Sequence, residues 1–232
     1  MDATVADDPV LDTRPQRARA VAGLVLIALT CGLGAWVFFR GPSPFAVDVW
    51  WNGLFAGAAS RPLLEFAYVM NQLGGYYTAI YIVPLGGALV LFLIGRRWSA
   101  LYFLVASAAS AGLVQVLKQT FGRARPEDIL VLSDYGSFPS GHTANAATVA
   151  VVAAVVFPHL WVRIVGVAWV VLMAFSRTYL HAHWLSDTIG GTMAGAGAAL
   201  LLAALFSHLR SRDDDRRTLR RRRQDAVTAD PS

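Results

Sequence analysis

Six apolar stretches recur along this chain, most of them close to the length a lipid bilayer demands. They run from about Val21 to Phe39, Tyr76 to Ile94, Ser99 to Thr120, His142 to Phe157, Trp161 to Tyr179 and Trp184 to Phe206. A helix needs about 20 mostly apolar residues to cross the hydrocarbon core. The pattern predicts an all-α fold, a polytopic membrane helix bundle with six transmembrane helices. Pro84 predicts a kink in the second stretch. The fourth stretch is short, so its start is expected inside protein rather than in lipid. Composition agrees: the 232 residues are 56% hydrophobic and 15% charged, where a soluble domain carries about 25% charged residues.

Between the first two stretches, residues 42–72 mix Trp50, Trp51, Phe55, Phe66 and Tyr68 with Asp48, Asn52, Arg61 and Glu65. That mixture suits an interfacial, extracytoplasmic segment, and equally a loop packed on the bundle. Residues 2–16 are polar and acidic, with no cleavage-site pattern behind the first apolar run, so that run is expected to be a retained helix. The division is therefore a cytoplasmic N-terminal segment (1–20), a six-helix membrane domain (21–206) and a basic cytoplasmic tail (207–232), expected to be disordered. The small residues Gly190, Gly191, Ala194, Gly195 and Ala198 predict close helix packing. Cys31 is the single cysteine, which excludes a disulfide framework and a thiolate metal site. The net charge of +5 does not indicate nucleic acid, because eight arginines lie between Arg210 and Arg223, behind the last apolar stretch. There they are expected to form a solvated tail that fixes topology and meets anionic headgroups.

The basic residues also predict orientation. With the N-terminus inside, 14 of the 20 lysines and arginines fall on the cytoplasmic side and six outside. Those six are Arg40, Arg61, Lys118, Arg123, Arg125 and Arg177. Four of them belong to three short motifs at the borders of apolar stretches. Ionisable residues in such places are costly and mark function, and an anionic substrate gives these cations a reason to be there.

The first motif is Lys118-Gln-Thr-Phe-Gly-Arg-Ala-Arg125-Pro126. An ammonium and a bidentate guanidinium about two turns apart suit phosphate oxygens. The second, Pro139-Ser140-Gly141-His142, precedes an apolar helix. Gly141 lets its N–H approach a ligand, and a helix start favours anions; Ser140 alone reads equally as an N-cap. In the third, Ser176-Arg177 is followed by His183 and Asp187, four residues apart on one helical face. Asp187 can accept the proton-bearing ring nitrogen of His183 and aim the other nitrogen outward, the logic of a catalytic triad with imidazole as nucleophile.

Together, Lys-x6-Arg-Pro, Pro-Ser-Gly-His and Ser-Arg-x5-His-x3-Asp resemble the type 2 phosphatidic acid phosphatase family of lipid phosphatases. All three pieces match without gap or substitution. Glucose-6-phosphatase and the vanadium-dependent haloperoxidases share the motif, and the apolar stretches exclude a soluble haloperoxidase. The resemblance implies that His183 attacks phosphorus and forms a phosphohistidine. It implies that Asp187 orients His183, and that His142 protonates the leaving lipid oxygen and later activates water. Lys118, Arg125, Arg177 and the amides around Ser140 and Gly141 would hold the phosphate oxygens. No metal and no cofactor are expected. The implied substrate is a lipid phosphate: a polyprenyl diphosphate, phosphatidic acid or phosphatidylglycerol phosphate. The same site suits a phosphotransferase with an alcohol acceptor. Arg123 receives no role, and spacing alone selects His183 over His181. His159 and His208 fall outside the motifs.

Overall fold

The computed structural model describes residues 14–41, 43–55, 60–75, 77–213, 216 and 218. Among them the chain is all-α, in the order α1 (Arg14–Arg40), α2 (Ala46–Gly53), α3 (Arg61–Leu73), a π-helical turn (Thr78–Ile82) leading into α4 (Val83–Leu93), α5 (Arg97–Phe121), α6 (Gly141–Val156), α7 (Leu160–Tyr179) and α8 (Leu185–Leu205).

By length and composition, four helices reach across a membrane: α1, α5, α7 and α8. A fifth arises if α3 and residues 78–93 form one span bent by 49°. The sixth expected span is α6, and it differs for a physical reason. Its 16 residues rise only about 24 Å at 1.5 Å per residue, short of the roughly 30 Å hydrocarbon core. The second expected stretch also differs. The chain is already helical through the π-helical turn before Val83, and Pro84 follows just after that turn. The marked bend falls earlier, between Leu73 and Thr78 where Gly74 and Gly75 lie, and not at Pro84.

Helices α6 and α8 form the centre, with α1 against the far side of α8 and α7 against α6. Small residues make this possible. A Cβ on Gly191 would meet the Ser140 carbonyl, and one on Gly195 would meet the Ala144 carbonyl. A Cβ on Gly23 would lie 2.8 Å from the Gly197 carbonyl oxygen, so α1 and α8 also touch through backbone. Without a hydrophobic force between helices in lipid, such close approach supplies dispersion contacts instead. Tyr102 fills the core near the opposite end of the bundle, its hydroxyl donating to the Ala199 carbonyl at 2.9 Å. Around it pack Ala88, Leu91, Phe103, Val152 and Val156. The outer faces carry exposed Leu24, Trp36, Phe39, Leu89, Val116, Trp161 and Val167, as lipid-facing surfaces do.

The segment between the first two apolar stretches is structured. Helix α3 buries Ala67 and Met70, and Phe55 packs in edge contact with Phe175 and Tyr179. Residues 207–213, assigned to the tail by sequence, continue as helix. Asp213 is buried and accepts the amides of Trp98 and Ser99 at 2.9 and 3.1 Å. It thereby satisfies free N–H groups at the start of α5. The rest of the expected tail, apart from residues 216 and 218, lies outside the described residues, as does the segment 1–13.

Candidate active site

All three motifs converge on one cavity of about 360 Å³. Lys118 reaches it from the last turn of α5. Gly122 ends that helix in the left-handed conformation (φ 50°), and the chain then turns through Arg123 and Arg125. Gly141 and His142 open α6. Arg177 comes from the end of α7, and His183 from the short loop before α8.

His183 is buried. Its Nδ1 lies 2.8 Å from the Ser137 carbonyl oxygen. A carbonyl can only accept, so Nδ1 carries the proton and Nε2 presents its lone pair. That Nε2 faces Arg125 Nη1 at 3.2 Å. Burial first, then the charges of Arg125, Arg177 and Lys118, hold the His183 imidazole well below its ordinary range, so it stays neutral. Burial also pulls the Arg125 guanidinium down from its usual value, though arginine remains a cation.

The carboxylate of Asp187 is not the direct acceptor that spacing suggests. Its Oδ2 lies 3.7 Å from His183 Nδ1, beyond hydrogen-bond length. The Ser137 carbonyl holds that place. Asp187 acts on the same segment from behind: it accepts the Ser137 hydroxyl, the Trp184 amide at 2.9 Å and Arg123 Nη1 at 2.6 Å. Its backbone carbonyl accepts the Ser140 amide at 3.0 Å. Asp187 thus fixes the Ser137–Ser140 turn, and that turn fixes His183.

Arg123 is the residue that sequence left without a role. It is buried between two carboxylates, with Nη2 2.8 Å from Asp48 Oδ2 and Nη1 2.6 Å from Asp187 Oδ1. Nη1 also donates to Ser186 Oγ at 2.7 Å. Asp48 returns contacts to the start of α8, accepting the Ser186 amide at 2.9 Å and its hydroxyl at 2.8 Å. Both buried carboxylates are therefore engaged by one guanidinium, which leaves neither open as a metal ligand.

The cations that line the cavity are arranged differently. Lys118 is buried; its Nζ donates to the Gly136 carbonyl at 2.8 Å and to Asp134 Oδ1 at 3.1 Å. Arg125 donates from Nη2 to that same Asp134 oxygen at 2.8 Å and to the Gly136 carbonyl at 2.9 Å. One carboxylate oxygen thus bridges two cations at the cavity mouth. Arg177, also buried, donates to the Asn71 side chain, and the Asn71 carbonyl lies 3.3 Å from His142 Nε2. A Cβ on Gly74 would meet His142 Cδ2 at 2.6 Å, so the glycine break after α3 lets that helix end close over His142. Ser140 is buried and accepts from Thr143 Oγ1 at 3.0 Å, while its backbone carbonyl starts α6. Gly141 lines the cavity beside Val114.

The structure brings together Lys118, Arg125, Gly141, His142, Arg177 and His183 around the cavity. Asp187 and Ser140 lie one layer behind. His181 stands apart, in the left-handed region (φ 51°), with Nδ1 2.5 Å from Asp128. Ser137, Asn71, Asp48 and Asp134 were not legible as site residues. Ser137 contributes a backbone carbonyl, which leaves no mark in a sequence. Asn71 and Asp134 carried signals of a kind, a polar residue before Gly74-Gly75 and an acid among basic motifs.

Residues 99–211 match the PAP2 superfamily. The chain carries a PAP2 superfamily domain. It is 31% identical over 124 residues to the lipid A 1-phosphatase of Rhizobium johnstonii, covering 47% of this chain and 49% of that one. It is 35% identical over 115 residues to phosphatidylglycerophosphatase B of Bacillus subtilis, covering 45% and 57%. A shorter match, 36% over 75 residues, joins it to the undecaprenyl-diphosphatase of Sulfolobus acidocaldarius, covering 32% and 35%. The chain thus spans about half the length, or less, of the curated relatives it matches. In three dimensions it resembles the crystal structure of a transmembrane PAP2-type phosphatidylglycerolphosphate phosphatase from Bacillus subtilis. The TM-score is 0.65 at 27% identity, covering 79% of this chain and 94% of that one. The PAP2 match contains all three motifs, and the structural match supports an all-helical membrane fold.

Proposed function

We propose that the chain is an integral-membrane lipid phosphatase that hydrolyses a phosphate monoester or diphosphate through a phosphohistidine on His183. The observation that carries this reading is the fixed tautomer: Nδ1 is tied to the Ser137 carbonyl at 2.8 Å, and Nε2 faces the cavity among three cations. The lone pair of Nε2 attacks phosphorus, and the bond from phosphorus to the lipid oxygen breaks. His142, as imidazolium beside the anionic phosphate, donates its ring proton to that oxygen. It then takes a proton from water. The resulting hydroxide attacks phosphorus, the bond to Nε2 breaks, and inorganic phosphate leaves with His183 restored.

Lys118, Arg125 and Arg177 hold the equatorial oxygens as charge develops, helped by the amides at Ser140 and Gly141. Asp187 is a positioning residue in this scheme, acting through Ser137. Three side-chain cations supply the charge that a metal would supply elsewhere, so turnover is metal-independent. The six-span reading stays with the proposal, with α3–α4 as one bent span and α6 as a short one enclosed by α5, α7 and α8. Both termini are then cytoplasmic and the site extracytoplasmic.

The test is phosphate release by the purified full chain from a panel of lipid phosphates. His183→Ala is expected to abolish release, and wild-type turnover to survive EDTA. Substantial turnover by the His183→Ala protein would overturn the mechanism. No release by wild type from any lipid would overturn the function.

A further inference from the structure

The cavity does not end at the cations. It continues between α5 and α6, where Ser107, Ala111, Gln115 and Lys118 share one face at spacings of three and four residues. From Lys118 to Ser107 the cavity wall descends eleven residues, about 16 Å at 1.5 Å per residue. Asn145 lines the opposite wall, one turn beyond His142.

This wall is polar where a passage for hydrocarbon alone would be apolar. The neighbouring groove across α6, α7 and α8 shows the contrast, with Ala150, Val167, Val170 and Val171 in its wall. In the cavity, the Gln115 side chain is exposed and makes no hydrogen bond among the described residues. Asn145 Nδ2 reaches only the Ala79 carbonyl, at 3.4 Å. Deeper, Ser107 Oγ is buried without a partner among the described residues. Elsewhere in this bundle hydroxyls turn back to their own helix, as Thr120, Thr148 and Thr192 do toward the carbonyl four residues earlier. Ser107 does not.

Gln115 and Asn145 are the first polar side chains of the cavity wall past Lys118 on α5 and His142 on α6, each three residues away. With His142 donating to the leaving oxygen as proposed, a leaving lipid that follows this wall meets both carboxamides. Both are neutral. They suit hydroxyl or ester oxygens, and they lack the positive charge a second buried phosphate requires.

Resting on the phosphatase reading above, we infer that Gln115 and Asn145 determine specificity by hydrogen-bonding oxygens of the leaving group. They select lipid phosphates whose phosphate ester sits on an oxygen-bearing carbon skeleton, glycerol or sugar. A polyprenyl phosphate offers only hydrocarbon at that depth, leaving Gln115 unpaired and Asn145 with its long Ala79 contact alone, the kind of arrangement by which polar sites reject analogues.

The experiment measures kcat/KM for the purified full chain in mixed micelles with phosphatidic acid and with a polyprenyl monophosphate. Wild type is expected to prefer phosphatidic acid by at least about tenfold. Asn145→Leu and Gln115→Met are each expected to lower that ratio about five- to tenfold, the size of one lost hydrogen bond, while Asn145→Ser keeps more of it. Either variant suffices if the other does not fold. An unchanged ratio, or equal losses on both substrates, overturns the inference, as does a wild-type preference for the polyprenyl phosphate. In that last case phosphate is still released, so the phosphatase reading stands while this one falls.

Discussion

If Lys118 and Arg125 hold the substrate phosphate as proposed, Asp134 occupies the place of a phosphate oxygen in the free protein. Its Oδ1 accepts from Lys118 at 3.1 Å and from Arg125 at 2.8 Å, the two cations assigned to the substrate. Lys118 is almost fully buried, and a buried ammonium needs a counter-ion; in the free protein Asp134 is that counter-ion. Its side chain is 56% exposed, so it can swing outward when a phosphate arrives. Phosphate binding then competes with an internal carboxylate. Asp134→Asn keeps the shape and removes the charge. Inhibition of lipid hydrolysis by inorganic phosphate is expected to tighten about five- to tenfold in this variant, the scale of one charge-assisted hydrogen bond. A purely structural role predicts the reverse, since loosened cations would bind phosphate less well. Residues of this kind are hard to read from sequence, because a carboxylate placed against cations looks like an ordinary surface acid. The motif cations and histidines were legible because each lies at a fixed spacing within one short segment.

Helices α2, α5 and α8 are tied by one buried guanidinium. Arg123, just past the end of α5, spans Asp48 of α2 and Asp187 of α8, and its guanidinium lies 5.4 Å from the Phe45 ring and 5.8 Å from that of Trp184. Sequence placed Arg123 inside a motif without a task and Asp48 in a segment read as interfacial. Neither reading could foresee the pairing, because the partners are 75 residues apart. The helices themselves were legible from apolar runs, yet α1 begins at Arg14, a turn and more before its apolar stretch. Charged residues extend a helix without extending hydrophobicity, so hydropathy misses such ends. Asp48→Ala would leave the Ser186 amide and hydroxyl, the Phe45 amide and one face of Arg123 without an acceptor. Breaking a buried ion pair on one side costs about 3–5 kcal/mol. The variant is expected to unfold at markedly lower temperature in detergent. Its turnover should also fall, because Arg123 holds Asp187 and Asp187 holds the turn that aims His183. A melting temperature equal to wild type would show that the tie is dispensable.

The charge asymmetry of the chain and the position of the site are linked. Cytoplasmic loops of membrane proteins collect lysine and arginine, and on the proposed six-span topology 14 of 20 basic residues fall on the side of the N-terminus. Four of the six on the other side are Lys118, Arg123, Arg125 and Arg177. The structure gives each of them an anionic or carbonyl partner. Each is held in the site by that partner, so on the proposed topology the site accounts for these four and the other basic residues set the bias. The proposed topology predicts that the α6–α7 connection, with Arg163 just beyond it, faces the cytoplasm and that the loop from Gly122 to Ser140 faces outward. Tyr135 and Leu160 report the two faces, being 70% and 71% exposed. With Cys31→Ser removing the single native thiol, Tyr135→Cys is expected to react with a membrane-impermeant maleimide on intact cells. Leu160→Cys is expected to react only after the membrane is opened. The opposite pattern would place the cavity mouth in the cytoplasm, and with it the lipid leaflet from which substrate is drawn.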